Sequence, residues 1–137
     1  MNDDNKLKFS MLFLRVSVFL VMLMWTLDKF INPAHAAKVY EKFYYISGLE
    51  SLIVIVIGIA ELALLMMFLF GIKKKFTYGA VLALHAVSTL SSFGQYLSPF
   101  EGPNLLFFAA WPMLAACVML FLFREKDTMF QLGTKYI

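Results

Sequence analysis

Polar punctuation divides the chain into four long apolar stretches. Between Glu50 and Lys73 lie 22 residues whose one charge is Glu61. Between Lys75 and Glu101 lie 25 residues with no acid or base except His85. Between Glu101 and Arg124 lie 22 uncharged residues. The first stretch runs from about Phe9 to Ile31, with Arg15 near its start and Asp28 and Lys29 near its end. A helix needs roughly 20 apolar residues to cross a bilayer core. The pattern therefore predicts one all-α domain over 1–137, a membrane four-helix bundle with spans at about 9–31, 49–72, 76–97 and 103–124.

The links between spans carry their own signals. Asn32-Pro33 is a helix start, with Asn at the N-cap and Pro in the first turn. Ala36, Val39, Tyr40, Phe43 and Tyr44 follow at helical spacing, while Lys38, Glu41 and Lys42 fall on the other side. Gly48 is a natural stop. Residues 33–46 read as a short amphipathic helix on the outer membrane surface, between the first and second spans. The segment 98–104 reads as a tight turn, with Pro103 opening the fourth span. Pro112 lies inside that span, where it leaves the Phe108 carbonyl without its usual partner and predicts a kink.

Charge orients the bundle. With both termini inside, Lys6, Lys8, Arg15, Lys73, Lys74, Lys75, Arg124, Lys126 and Lys135 are cytoplasmic, and only Lys29, Lys38 and Lys42 are outside. That asymmetry predicts a multi-pass protein of the cell (inner) membrane, N-in and C-in. Arg15 is expected to snorkel to cytoplasmic headgroups, and the Lys73–Lys75 run to anchor the inner turn on anionic lipid. Composition agrees with a bilayer. The chain of 137 residues is 61% apolar and only 15% charged, against about 25% charged in a soluble domain. A soluble fold this small has too much surface to hide so much apolar side chain. A competing reading makes the first span a signal peptide cleaved after Ala34-His35-Ala36. Its apolar stretch is too long for that, and Asp28, Lys29 and Pro33 crowd the site.

The few polar groups inside the spans carry the candidate chemistry. An ionisable group at mid-bilayer costs about 2.5–3.5 kcal/mol on insertion scales. Glu61 and His85 sit near the middle of antiparallel neighbours, which brings them within reach of each other. Either they form a pair that fixes helix register, or they handle a proton or bind a head group. His85, Ser88, Thr89, Ser92, Gln95 and Tyr96 share one face of the third span. That stripe is either interhelical glue or the lining of a path open to the outside. A second cluster marks the outer mouth: Trp25, Asp28, Lys29, Glu50, Ser51, Gln95, Tyr96 and Asn104. It reads as ordinary interfacial polarity or as an entrance for an amphipathic ligand. Gly58, with Ala60 and Ala63 beside Glu61, invites close helix approach. Trp111 either closes a pocket or fills space, and Cys117 reads as an inert apolar filler.

Absences narrow the classes. One Cys excludes an intrachain disulfide and a Cys-cluster metal site. Only His85 among the two histidines is inside the membrane, so the chain cannot supply two axial haem ligands at one depth. No Cys-x-x-Cys, Gly-rich phosphate loop or His-Glu-x-x-His occurs. No acid pair suits a metal ion, no basic surface suits nucleic acid, and no inverted repeat suggests a transporter. No catalytic residue, metal ligand or covalently bound cofactor is expected.

The chain resembles the DoxX family of small four-helix membrane proteins over nearly its whole length. The resemblance rests on Arg15 early in the first span, Lys29 at its outer end, and Gly58-x-x-Glu61 followed by an apolar run and Gly71. A basic inner loop and a third span of small residues complete it. Met24-Trp25 stands where family members usually carry Gly, and the Asp28-Lys29-Phe30 end with Asn32-Pro33 looks like a subgroup feature. The resemblance implies a link to quinone chemistry, since the family's named member is the small subunit of a thiosulfate:quinone oxidoreductase. Others are accessory or assembly proteins of membrane redox systems. By resemblance Glu61 and Lys29 are the positions to watch.

Two functions follow as expectations. In one, the chain is a non-haem subunit of a quinone-linked redox system that binds a quinone or similar amphipathic molecule near Glu61 and His85. In the other, it is a non-catalytic accessory or assembly partner that docks another membrane protein or a second copy of itself. A small lipid or metabolite carrier is a third reading.

Overall fold

In the computed structural model, which describes residues 1–133, every regular element is helical. Helix α1 spans Asp3–Ile31, α2 Pro33–Tyr44, α3 Ser51–Leu69, α4 Lys74–Ser91, α5 Phe93–Leu97 and α6 Ala110–Leu122. A 3-10 segment, Asn104–Ala109, leads into α6. Among the described residues three stretches are long and apolar enough to cross a membrane: α1, α3 and Asn104–Leu122. Helix α4 has 18 residues and is more polar, carrying Thr77, Tyr78, His85, Ser88, Thr89 and Ser91.

Local chemistry explains where the elements begin and end. Helix α1 starts six residues before the apolar stretch because Asn2 caps it, accepting from the Asn5 amide at 2.9 Å. Asp3 and Asp4 favour the positive end of the helix dipole, and they pair with Lys6 and Lys8. Asn32 closes α1 and opens α2: its amide donates to Asp28 at 2.8 Å, and its side chain accepts from the His35 amide. Helix α2 stops earlier than expected, at Tyr45 in the left-handed region rather than at Gly48. The Ile46 amide reaches back to the Tyr40 carbonyl at 3.2 Å and completes that stop.

The third predicted span is broken. Helix α4 ends at Ser91, and Ser92 separates it from the short α5. The hydroxyls of Ser91 and Ser92 both donate to the Ser88 carbonyl, at 3.0 and 3.1 Å. Such back-bonding competes with the helical ladder. The fourth predicted span is also recut. Pro112 lies in the first turn of α6 rather than in a helix interior. Its missing N–H belongs to a position that the first turn leaves unpaired, so the expected kink becomes a helix start preceded by 3-10 geometry.

The helices close a ring in the order α1, α3, α4, α6, with the most extensive contacts between α1 and α3 and between α4 and α6. Gly58 lets α1 and α3 approach: a Cβ there would lie 3.0 Å from Phe30 and 3.2 Å from Lys29. The N-terminal half of α1, the 70–73 turn and the segment after α6 share one end. There Met11, Val18, Leu65, Phe68, Tyr78, Val81, Cys117 and Leu120 form the packed core. Cys117 is an apolar filler, as expected.

At that end the structure corrects two expectations. Arg15 does not snorkel; it is 0% exposed. It meets Asp127 at 3.0 Å and the Tyr78 hydroxyl at 3.2 Å, and donates to the carbonyls of Met129 and Phe130. Tyr78 in turn donates to Asp127 at 2.6 Å. Lys74 also turns inward, donating to the carbonyls of Arg124 and Asp127, while Lys73 and Lys75 stay exposed. Residues 123–133 thus fold back as a strap across the bundle, and the Leu132 amide donates to the Phe70 carbonyl at 2.8 Å. Lys135, part of the charge asymmetry, lies outside the described residues.

Candidate functional site

The other end of the ring is not packed shut. A cavity of about 960 Å³ opens there, bounded by α1, α4, the 103–116 stretch and one residue of α3, Glu61. Its walls are mainly apolar, with Met22, Leu84, Phe107 and Met113 among them, and it reaches inward to Leu14 and Val18 where it meets the packed core. Helix α2 lies over the top. Val39, Tyr40, Phe43 and Tyr44 line the cavity, while Lys38, Glu41 and Lys42 are exposed. The helix is amphipathic as its sequence predicts. Its apolar face, however, covers this cavity, and Phe43 packs on Phe107 with centroids 5.7 Å apart.

The cavity has a charged corner. Glu61 pairs with Lys29 at 2.9 Å and accepts from the Thr26 hydroxyl at 3.1 Å, both through Oε2. The Lys29 ammonium lies 5.8 Å from the Tyr40 ring centroid. Burial, joined by the negative charge of Glu61, pushes the Tyr40 hydroxyl above its ordinary value. Tyr40 therefore stays a neutral donor facing the Glu61 side chain. Helix geometry gathers this corner: Thr26 and Lys29 are three apart and share one face of α1.

His85 stands elsewhere on the wall. Its Nε2 meets the Ala110 carbonyl at 3.0 Å and the Thr89 hydroxyl at 3.3 Å. The expected Glu61–His85 contact is therefore not the one formed. Each takes partners from other elements, and the two share a cavity instead of a bond. Equal depth on antiparallel helices left their rotation about the helix axes undetermined.

Six of the sequence candidates line this cavity: Trp25, Lys29, Glu61, His85, Ser88 and Ser92. The others do not line it. Thr89 is buried, donates to the His85 carbonyl at 2.8 Å, and offers its own carbonyl to the Tyr96 hydroxyl at 2.9 Å. Tyr96 packs on Phe108 and Trp111. Trp111 is 46% exposed on the outer side of α6, where it borders a shallow apolar groove, and so it does not close the cavity. Asp28 pairs with His35 at 2.6 Å on the surface. Asn104 donates to the Ser98 carbonyl at 2.9 Å and fastens the 98–104 turn. Glu50 is exposed at the N-cap of α3 without a side-chain cap bond, and Gln95 lies half-buried in α5.

The sequence did not reveal Ser17 and the α2 aromatics as cavity-lining residues, or Thr26 as a partner of Glu61. Thr26 had a readable signal, one helical turn before Lys29. The apolar stripe of α2 was read correctly but assigned to lipid. Among the described residues no group of three or more His, Cys, Asp or Glu could hold a metal ion. No known family model, curated protein or solved structure matches the chain.

Proposed function

We propose that the chain is a DoxX-like protein of the cell (inner) membrane that binds a quinone or similar amphipathic molecule in the α2-covered cavity. In this reading it is a non-haem subunit of a quinone-linked redox system. Helix α4 with α5 serves as a fourth crossing beside α1, α3 and Asn104–Leu122, and both termini lie in the cytoplasm.

One observation carries the ligand reading. The cavity is large and apolar, yet it gathers Lys29, Glu61, Tyr40, His85 and Ser88 on its walls. Ligand sites typically span about 300–1,000 Å³, with mostly apolar walls and a few convergent polar groups. Such a site fits a ring with polar substituents and an apolar tail. Val21, Trp25 and Leu106 line the cavity and are also exposed, so it opens sideways between α1 and the 3-10 segment. In a bilayer that opening faces acyl chains, from which a lipid-soluble ligand can enter.

Native mass spectrometry of protein gently solubilised from its own membrane tests the reading. The expected result is an adduct of quinone-like mass that is lost in Glu61→Gln. A co-purifying membrane protein with no small adduct would overturn it and favour an accessory or assembly role. For that role the exposed groove at Trp111, Leu114, Val118 and Leu122 offers a docking face.

A further inference from the structure

We infer that the cavity selects the reduced, hydroxyl-bearing form of its ligand over the oxidised, carbonyl-bearing form. This rests on the quinone reading above, and it concerns which redox state the site holds.

The argument is one of donors and acceptors. The Ala110 carbonyl can only accept, so the His85 Nε2 that meets it at 3.0 Å carries the hydrogen. In the neutral ring Nδ1 is then a lone pair, an acceptor. Glu61 Oε2 takes both the Lys29 ammonium and the Thr26 hydroxyl. Among the described residues His85 Nδ1 meets no donor, and Glu61, faced by the Tyr40 hydroxyl, keeps a free lone pair on Oε1. Both side chains line the cavity. The site thus presents free acceptor lone pairs on two separate walls.

A ligand hydroxyl satisfies such a site. It donates to Glu61 or His85 and still accepts from the Tyr40 hydroxyl or a remaining Lys29 hydrogen. A ligand carbonyl can only accept. It would strip water from the two acceptors and return nothing. Acceptors left unpaired in a desolvated site weaken binding more than a lost neutral contact does. Sites built to pair with a hydroxyl reject analogues that lack it for the same reason. We therefore expect the quinol to bind about tenfold more tightly than the quinone, or better. A tenfold preference for the reduced form raises the two-electron potential of the bound couple by about 30 mV.

The test is an anaerobic titration of the full chain in lipid nanodiscs, following Trp25 fluorescence, with a decyl-substituted benzoquinol and its benzoquinone as probes. Tighter quinol binding supports the inference when the gap shrinks to within about threefold in His85→Leu or Glu61→Gln. His85→Leu leaves the Lys29–Glu61 pair in place, so it serves even where Glu61→Gln unfolds. Equal affinities, or tighter quinone binding, would overturn the inference and leave the quinone reading standing. Binding of neither probe would overturn both. A quinol preference that survives in both variants would remove Glu61 and His85 as its cause.

Discussion

Lys29 and Glu61 form an ion pair at 2.9 Å with only 9% and 19% of their side chains exposed. A pair this enclosed is costly to break from one side, because the survivor is left charged and unpaired. Lys29→Met and Glu61→Gln should each lower stability by about 1–3 kcal/mol, and the double variant by less than the sum. Denaturation of the four proteins in one detergent measures this directly; strict additivity would mean the pair is not coupled. Glu61 and His85 were legible from sequence because a lone ionisable group inside an apolar stretch stands out. Their partners were not. Lys29 looked like an interfacial end-residue, and nothing in a linear pattern shows that α1 turns it inward against Gly58 and Glu61. The burial of Arg15 is hidden for a related reason. Its acid, Asp127, lies in a polar tail where no periodicity marks an inward-facing side chain.

The helices themselves were the most readable part, since apolar runs of bilayer length leave few alternatives. Their ends were harder. The Ser91-Ser92 break and the 3-10 entry to α6 depend on hydroxyl-to-carbonyl bonds and on where Pro112 falls within a turn. The strap at 123–133 was not foreseen at all, because it has neither apolar period nor strong turn signals. It is fastened by Arg15, Tyr78 and Lys74 rather than by its own packing. Arg15→Met should therefore free it and leave Asp127 buried without its cation, a loss of about 3–5 kcal/mol. Limited proteolysis is the more specific check. Cleavage after Lys126, slow in the parent protein, should become fast in Arg15→Met and in Asp127→Asn. Unchanged cleavage in both would show that other contacts hold the strap.

The ring divides by depth into a packed end, closed by the strap, and an open end, covered by α2. The proposed topology puts the packed end in the cytoplasm, and labelling can check it. Cys117 is 2% exposed, so a membrane-impermeant thiol reagent should ignore it in intact cells. Lys42→Cys on exposed α2 should label from outside, and Lys126→Cys only after lysis. The reverse pattern would invert the topology and place the covered cavity on the inner face. The strap also sets an order on biosynthesis. Met129, which holds the Arg15 guanidinium, lies 114 positions later in the chain. At about 5–20 residues per second, a ribosome needs on the order of ten seconds to cover that distance. In a membrane, the first helix would carry for that interval a cation whose carboxylate and carbonyl partners do not yet exist. Lipid phosphates or the insertion machinery must shelter it until the tail arrives, so the earliest helix is the last to be finished.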